Sequence, residues 1–212
     1  MADPLLDHLV LATDDLESTV AAFQAATGVV PAAGGRHVGL GTRNYLVGLG
    51  PTAYLEIIGP DLQQAEVEPG NMPFGVGEVR GTRLVTWAVQ PVDLEASLTA
   101  ALEAGVDLGE IRPMSRATPA GDVLSWRLAS THPAPFDGLV PFLIDWGSTR
   151  HPAESGLPQV SLLNFTATHP DPPAVAVALD ALGVTLPIAT GPVALYAEVR
   201  GPAGVVALDD LT

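Results

Sequence analysis

Three side chains stand where an apolar strand does not tolerate them without a reason. His8 interrupts Leu5–Leu11, Glu56 sits inside Tyr54-Leu55-Glu56-Ile57-Ile58, and Asp145 sits inside Leu143-Ile144-Asp145-Trp146. A carboxylate with apolar neighbours is costly to bury unless it is paired or metal-bound. One neutral imidazole and two carboxylates form a reasonable donor set for a divalent metal. Three protein ligands that leave positions open suit a catalytic ion. The plainer alternative is a hydrogen-bonded core histidine and strand acids that face water.

The densest polar stretch is Gly34-Gly35-Arg36-His37-Val38-Gly39-Leu40-Gly41-Thr42-Arg43-Asn44. His37 has the chemistry of an acid, a base or a ligand. Arg36 and Arg43 suit a carboxylate clamp, and Asn44 and Thr42 can fix a carbonyl. The alternative is a glycine-rich hairpin whose polar groups cap their own turn. Arg116 and Arg127 fall on strand candidates. Alternation over Leu124–Ala129 separates Leu124, Trp126 and Leu128 from Ser125, Arg127 and Ala129. If the arginine face lines a hollow, Arg127 binds an anionic substrate. Trp87 is a candidate pocket floor. His132, His151 and His169 each precede proline, which favours extended or turn backbone. They read as loop residues without a role.

The elements that must position these groups recur. Leu5–Leu11 is a strand, and Asp14 with Glu17 has the spacing of a capping box for a helix that Gly28 stops. A Gly34-Gly35 turn follows, then strands at Tyr45–Leu49 and Ala53–Ile58, with a third near His37–Leu40. The order returns at Leu84–Val89, a helix from Asp93-Leu94-Glu95 to Gly105, and strands at Ile111–Ala117, Val123–Ala129 and Val140–Trp146. The offset of 78 residues sets Thr86 opposite His8, and Asp145 holds the place in its last strand that Glu56 holds in the first copy. A shorter third copy runs through Val160–Thr166, a helix at Pro172–Leu182, and strands at Val184–Ile188, Val193–Val199 and Gly204–Leu208. The units so predicted span 5–60, 83–147 and 159–209, with Gly147–Pro158 as a linker. The period exceeds that of solenoid repeats, so it reads as duplication. The expected class is α+β, built of βαβββ units around a cup-shaped mixed or antiparallel sheet with helices outside.

Composition narrows the chemistry. The 212 residues carry a net charge of −15, and 47% are hydrophobic. Such acidity repels phosphate backbones and anionic lipid, so neither nucleic acid nor membrane is an expected partner. All nine basic residues are arginine, which excludes a lysine Schiff base and a lysine-bearing phosphate loop. No nucleotide cofactor is expected. Without cysteine there is no disulfide and no thiolate nucleophile, which fits a reducing cytoplasm. The first residues lack a basic segment followed by an apolar one, so no signal peptide is expected.

Leu6-Asp7-His8-Leu9-Val10, the Arg36-to-Asn44 run, Tyr54-Leu55-Glu56-Ile57-Ile58 and Pro141-Phe142-Leu143-Ile144-Asp145-Trp146-Gly147, followed by His151-Pro152-Ala153, resemble the glyoxalase-like domain family of the vicinal oxygen chelate superfamily. The resemblance implies paired βαβββ modules that form a cup. It also implies a divalent metal (Zn, Mn, Fe or Ni) held by His8, Glu56 and Asp145, with Thr86 departing from the pattern. On that reading His37 and Glu56 are catalytic, Arg36, Arg43 and Asn44 bind substrate, and the reaction is a lyase, isomerase or dioxygenase type. The competing reading is a metal-free small-molecule binder of the bleomycin-resistance kind, with Trp87, Trp126, Trp146 and Tyr54 as walls. The resemblance is compatible with a monomer or a homodimer.

Overall fold

A computed structural model describes residues 5–118, 121 and 123–211. The first unit is β1 (Leu6–Thr13), α1 (Leu16–Thr27), β2 (Ala32–His37), β3 (Thr42–Gly48) and β4 (Tyr54–Pro60). The second is β5 (Thr82–Val89), α2 (Leu94–Glu103), β6 (Ile111–Ala117), β7 (Val123–Ala129) and β8 (Phe142–Asp145). A third group follows: β9 (Ser161–His169), α3 (Pro172–Ala181), β10 (Ile188–Thr190), β11 (Ala194–Arg200) and β12 (Val205–Ala207). No helix among the described residues is long and apolar enough to cross a membrane.

The first two units close one barrel in the order β1-β4-β3-β2-β6-β7-β8-β5. Within each unit the first strand pairs in parallel with the last: β1 with β4, and β5 with β8. Antiparallel contacts of β1 with β5 and of β2 with β6 complete the ring. The third group has the same element order but a different sheet, β10-β9-β11-β12, in which the first strand lies between the second and third.

Every residue of β1 is buried, because both its faces are covered. Leu9, Leu11, Leu55, Ile57, Leu143 and Trp87 belong to the outer core, which also takes Val175, Val199 and Leu208 from the third group. Val10, Ala12, Ile58, Val85, Ala88 and Phe142 belong to a second cluster inside the barrel. Alternation on the strands therefore decides whether a side chain meets a helix or the interior.

Local details depart from the expectations in several places: residues 38–41 form a turn rather than a strand, since β2 ends at His37, and residues 184–187 precede β10 rather than forming a strand. The cap of α1 is Asp15, whose carboxylate accepts from the Ser18 N–H, while Asp14 accepts from the Gly81 N–H. Gly34-Gly35 is not a turn but part of β2. A Cβ on Gly34 would lie 2.2 Å from Asn44 Oδ1, so the missing side chain is what lets β3 come close.

Candidate functional site

The barrel encloses a cavity of about 490 Å³. The first unit lines it with His8 of β1, His37 at the end of β2, Asn44 of β3, and Tyr54 and Glu56 of β4. These groups are buried and connected. Glu56 accepts a hydrogen bond from Asn44 Nδ2 at 2.5 Å. Its two oxygens lie 3.7 Å from His8 Nε2 and 3.9 Å from His37 Nε2. His37 Nδ1 lies 2.9 Å from the Thr42 hydroxyl. Burial lowers the His37 pKa; Glu56 works against this and the Arg116 charge adds to it, so the net direction is down. A neutral His37 whose Nδ1 accepts from Thr42 presents Nε2–H toward Glu56.

Behind His8 stands Asp7, 1% exposed. His8 Nδ1 is 2.6 Å from one Asp7 oxygen. The other oxygen accepts from Trp146 Nε1 at 2.9 Å and lies 3.0 Å from His151 Nε2. The Ala153 N–H donates to His151 Nδ1, which leaves Nε2 to carry the proton that Asp7 accepts. Burial alone would raise the Asp7 pKa. Hydrogen bonds from His151 and His8, with the favourable electrostatics of their ring N–H groups, overcome it and hold the carboxyl at about 2. With Nδ1 committed to Asp7, a neutral His8 turns the Nε2 lone pair to the cavity. Its ring stacks on Tyr54 at 4.6 Å. Burial, and then the charges of Asp7 and Glu56, hold the Tyr54 phenol well above its ordinary pKa, so it stays protonated.

The second unit supplies a different wall. Its strand pairing sets Ala88 beside Phe142, as His8 stands beside Tyr54. Two residues further along β8, the counterpart of Glu56 is Ile144. Trp126 and Leu128 of β7 and Phe142, Ile144 and Trp146 complete an apolar side. Phe74, from the segment between β4 and β5, stacks on Phe142 at 5.0 Å. From β6, Arg112 and Arg116 also line the cavity. Arg116 is 6% exposed, donates one hydrogen bond to the Gly34 carbonyl, and makes no ion pair within 4.0 Å among the described residues.

His8, Glu56, His37 and Asn44 thus meet in one cavity, and five other candidates do not join them. Asp145 is one residue out of register with Ile144, so it points to the opposite face and pairs there with Arg127 at 2.5 Å. Arg127 also pairs with Glu95 of α2, so its face is the outer one, and the Trp126 face lines the hollow. Trp87 is fully buried in the outer core, where Nε1 donates to the Leu139 carbonyl. Arg36 turns to Gln63 and Asp61, and Arg43 to Glu17, both outside the cavity. Sequence reasoning missed Asp7, left Arg116 conditional and gave His151 no role. An acid next to His8 in an apolar strand was the one available signal for Asp7.

The proposed metal set fails with Asp145. Among the described residues no three His, Cys, Asp or Glu side chains are placed to hold a metal ion. His8 and Glu56 have the right donor chemistry, and Asp7 orients His8 as a supporting carboxylate would. The opposite wall offers Ala88 and Ile144, which donate nothing. The described residues of the cavity therefore offer no three-donor set that fits a resident divalent ion.

The sequence profile of the glyoxalase-like domain matches residues 6–183. No curated protein matches the sequence. A hypothetical protein from Staphylococcus aureus is similar in structure, with a TM-score of 0.63 and 16% identity over 96% of this chain and 85% of its own. A mutant of 4-hydroxymandelate synthase from Streptomyces coelicolor has a TM-score of 0.51 and 14% identity over 99% of this chain and 64% of its own. Methylmalonyl-CoA epimerase from Mycobacterium tuberculosis has a TM-score of 0.41 and 17% identity over 68% of this chain and 87% of its own.

Proposed function

The chain belongs to the glyoxalase-like domain family, and from that premise we propose that its barrel cavity binds a small organic anion and moves a proton on it. The observation that carries this reading is Glu56, set between two imidazole nitrogens in a cavity that also holds the buried Arg116, which makes no ion pair among the described residues. A fixed cation in a low-dielectric cavity favours an anionic group by more than the same charge in water would. The wall of Trp126, Phe142, Ile144 and Trp146 takes an apolar or aromatic body.

The chemistry that suits these groups is proton abstraction from carbon beside a carbonyl. Glu56 takes the proton, the C–H electron pair moves to the carbonyl oxygen, and the oxyanion is held by Arg116 and the Nε2–H of His37. Reprotonation from Glu56 returns the carbonyl compound or its isomer. Asp7 keeps His8 in one tautomer and orientation beside Glu56.

Phenylpyruvate is a suitable probe, with a carboxylate, a neighbouring carbonyl, an acidic C–H and an aromatic ring. The native protein is expected to speed deuterium uptake at its methylene carbon in D₂O, read by proton NMR. Glu56→Gln should lower that rate by about 10² or more while binding persists. Arg116→Gln should weaken binding about tenfold or more, read by tryptophan fluorescence. Saturable binding with exchange no faster than in buffer would leave a binder without turnover. Binding that ignores Arg116→Gln would overturn the anion site.

A further inference from the structure

The chain holds 24 acidic residues against nine arginines, yet Glu56 is the one acid among the described residues that line the cavity, beside two of those arginines. Both arginines come from β6. Arg112, Met114 and Arg116 are alternate residues and all face the cavity, while Pro113 and Ser115 face out. The four-residue step separates the backbone positions of Arg112 and Arg116 by roughly 13 Å. Arg116 is buried at the inner end, and Arg112 is exposed at the other. Neither makes an ion pair within 4.0 Å among the described residues; Arg80, Arg83 and Arg200 make none there either, but those three do not line the cavity, and Arg36, Arg43, Arg127 and Arg150 are all paired. Past Leu128, the register partner of Arg112, the chain adds the polar lining residues Ser130, Thr131 and His132 from the segment after β7. Between the two arginines the wall is apolar: Met114 pairs with Trp126, and Arg112 with Leu128.

We propose that the ligand of this cavity is a dianion, with one acidic group at Arg116, an apolar spacer along Met114, Trp126 and Leu128, and a second acidic group at Arg112. This rests on the anion-binding reading above and adds a second charge to it. A monoanion would use Arg116 alone and leave Arg112 in water. An exposed arginine adds little by itself, but it discriminates between ligands that are already anchored at the buried end.

The test compares diacids with monoacids of the same length: adipate, pimelate and suberate against hexanoate, heptanoate and octanoate. Binding is followed by tryptophan fluorescence, since Trp126 and Trp146 line the cavity. At least one diacid should bind the native protein about fivefold more tightly than its monoacid partner. Arg112→Ala should erase that preference by weakening diacid binding toward that of the monoacid. Being on an exposed strand position, it should also leave the far-UV circular dichroism unchanged. Arg116→Gln should weaken both ligand classes. Equal binding of diacids and monoacids, still dependent on Arg116, would overturn the second anion site and leave the first standing. A diacid preference that survives Arg112→Ala would also overturn it. Binding of neither class to the native protein would overturn both readings.

Discussion

At the scale of single residues, Asp7 decides the state of the site while standing outside the cavity. Its two oxygens serve His8, His151 and Trp146 at once, which joins β1 to the segment after β8. Its pKa of about 2 lies below the ordinary 3.8, so the folded state favours the carboxylate. A depressed carboxyl contributes stability that is fully present above pH 3.8 and is lost as pH falls through about 2. The difference is worth on the order of 2 kcal/mol. Native protein and Asp7→Asn should therefore differ in urea midpoint by an amount that is constant near pH 6. That difference should shrink as pH falls from about 4 toward 2. A difference that stays constant across the whole range would deny Asp7 its charged role. Asp7→Asn should also lower turnover more than it lowers ligand affinity, because Asn no longer fixes the His8 tautomer.

At the scale of elements, register separates the groups that converge from those that do not. His8, Tyr54 and Glu56 are inward members of β1 and β4, and their polar character inside apolar strands was legible in the sequence. The second unit was legible as a repeat of elements but not of side chains. An offset counted in sequence, 78 residues, matched His8 with Thr86, whereas strand pairing matches it with Ala88. The register shift between Val10 and Leu11 on β1 and the unequal connections make a constant offset unsafe. A slip of one residue moved Asp145 from the expected interior to the Arg127 pair outside. For Arg36 and Arg43 the sequence revealed a polar cluster but not which strand face each occupied. Arg116 was hidden for a related reason, since nothing local distinguishes an arginine that faces a cavity from one that faces water. A metal follows the same geometry. Because β5 and β8 turn Ala88 and Ile144 inward, Zn²⁺, Mn²⁺, Ni²⁺ or Fe²⁺ should raise the melting temperature of the native protein by less than about 1 °C. A rise of several degrees that disappears in His8→Ala would restore a metal to the cavity.

At the scale of the whole molecule, the third group of elements bears on whether the barrel is an independent unit. Its sheet does not repeat the β1-β4-β3-β2 order, and it adds no lining residue to the cavity. It does cover the outer wall of the barrel. Phe165 of β9 meets the fully buried Trp87 of β5 edge to face at 5.2 Å. Val199 and Leu208 share a core cluster with Leu9 and Leu55 of the barrel. A core shared in this way ties the two parts into one cooperative unit, since neither buries its apolar face alone. Phe165→Ala removes the ring packed on Trp87 and should cost about 2 kcal/mol, less than a fully buried phenylalanine because Phe165 is half-buried. Tryptophan fluorescence reports the barrel, which contains Trp87, Trp126 and Trp146, and far-UV circular dichroism reports every helix and strand. In urea the two signals should fall together in the native protein and move together to a lower midpoint in Phe165→Ala. If the variant instead splits into an early circular dichroism step and an unchanged fluorescence step, the third sheet unfolds on its own, and the barrel stands without it.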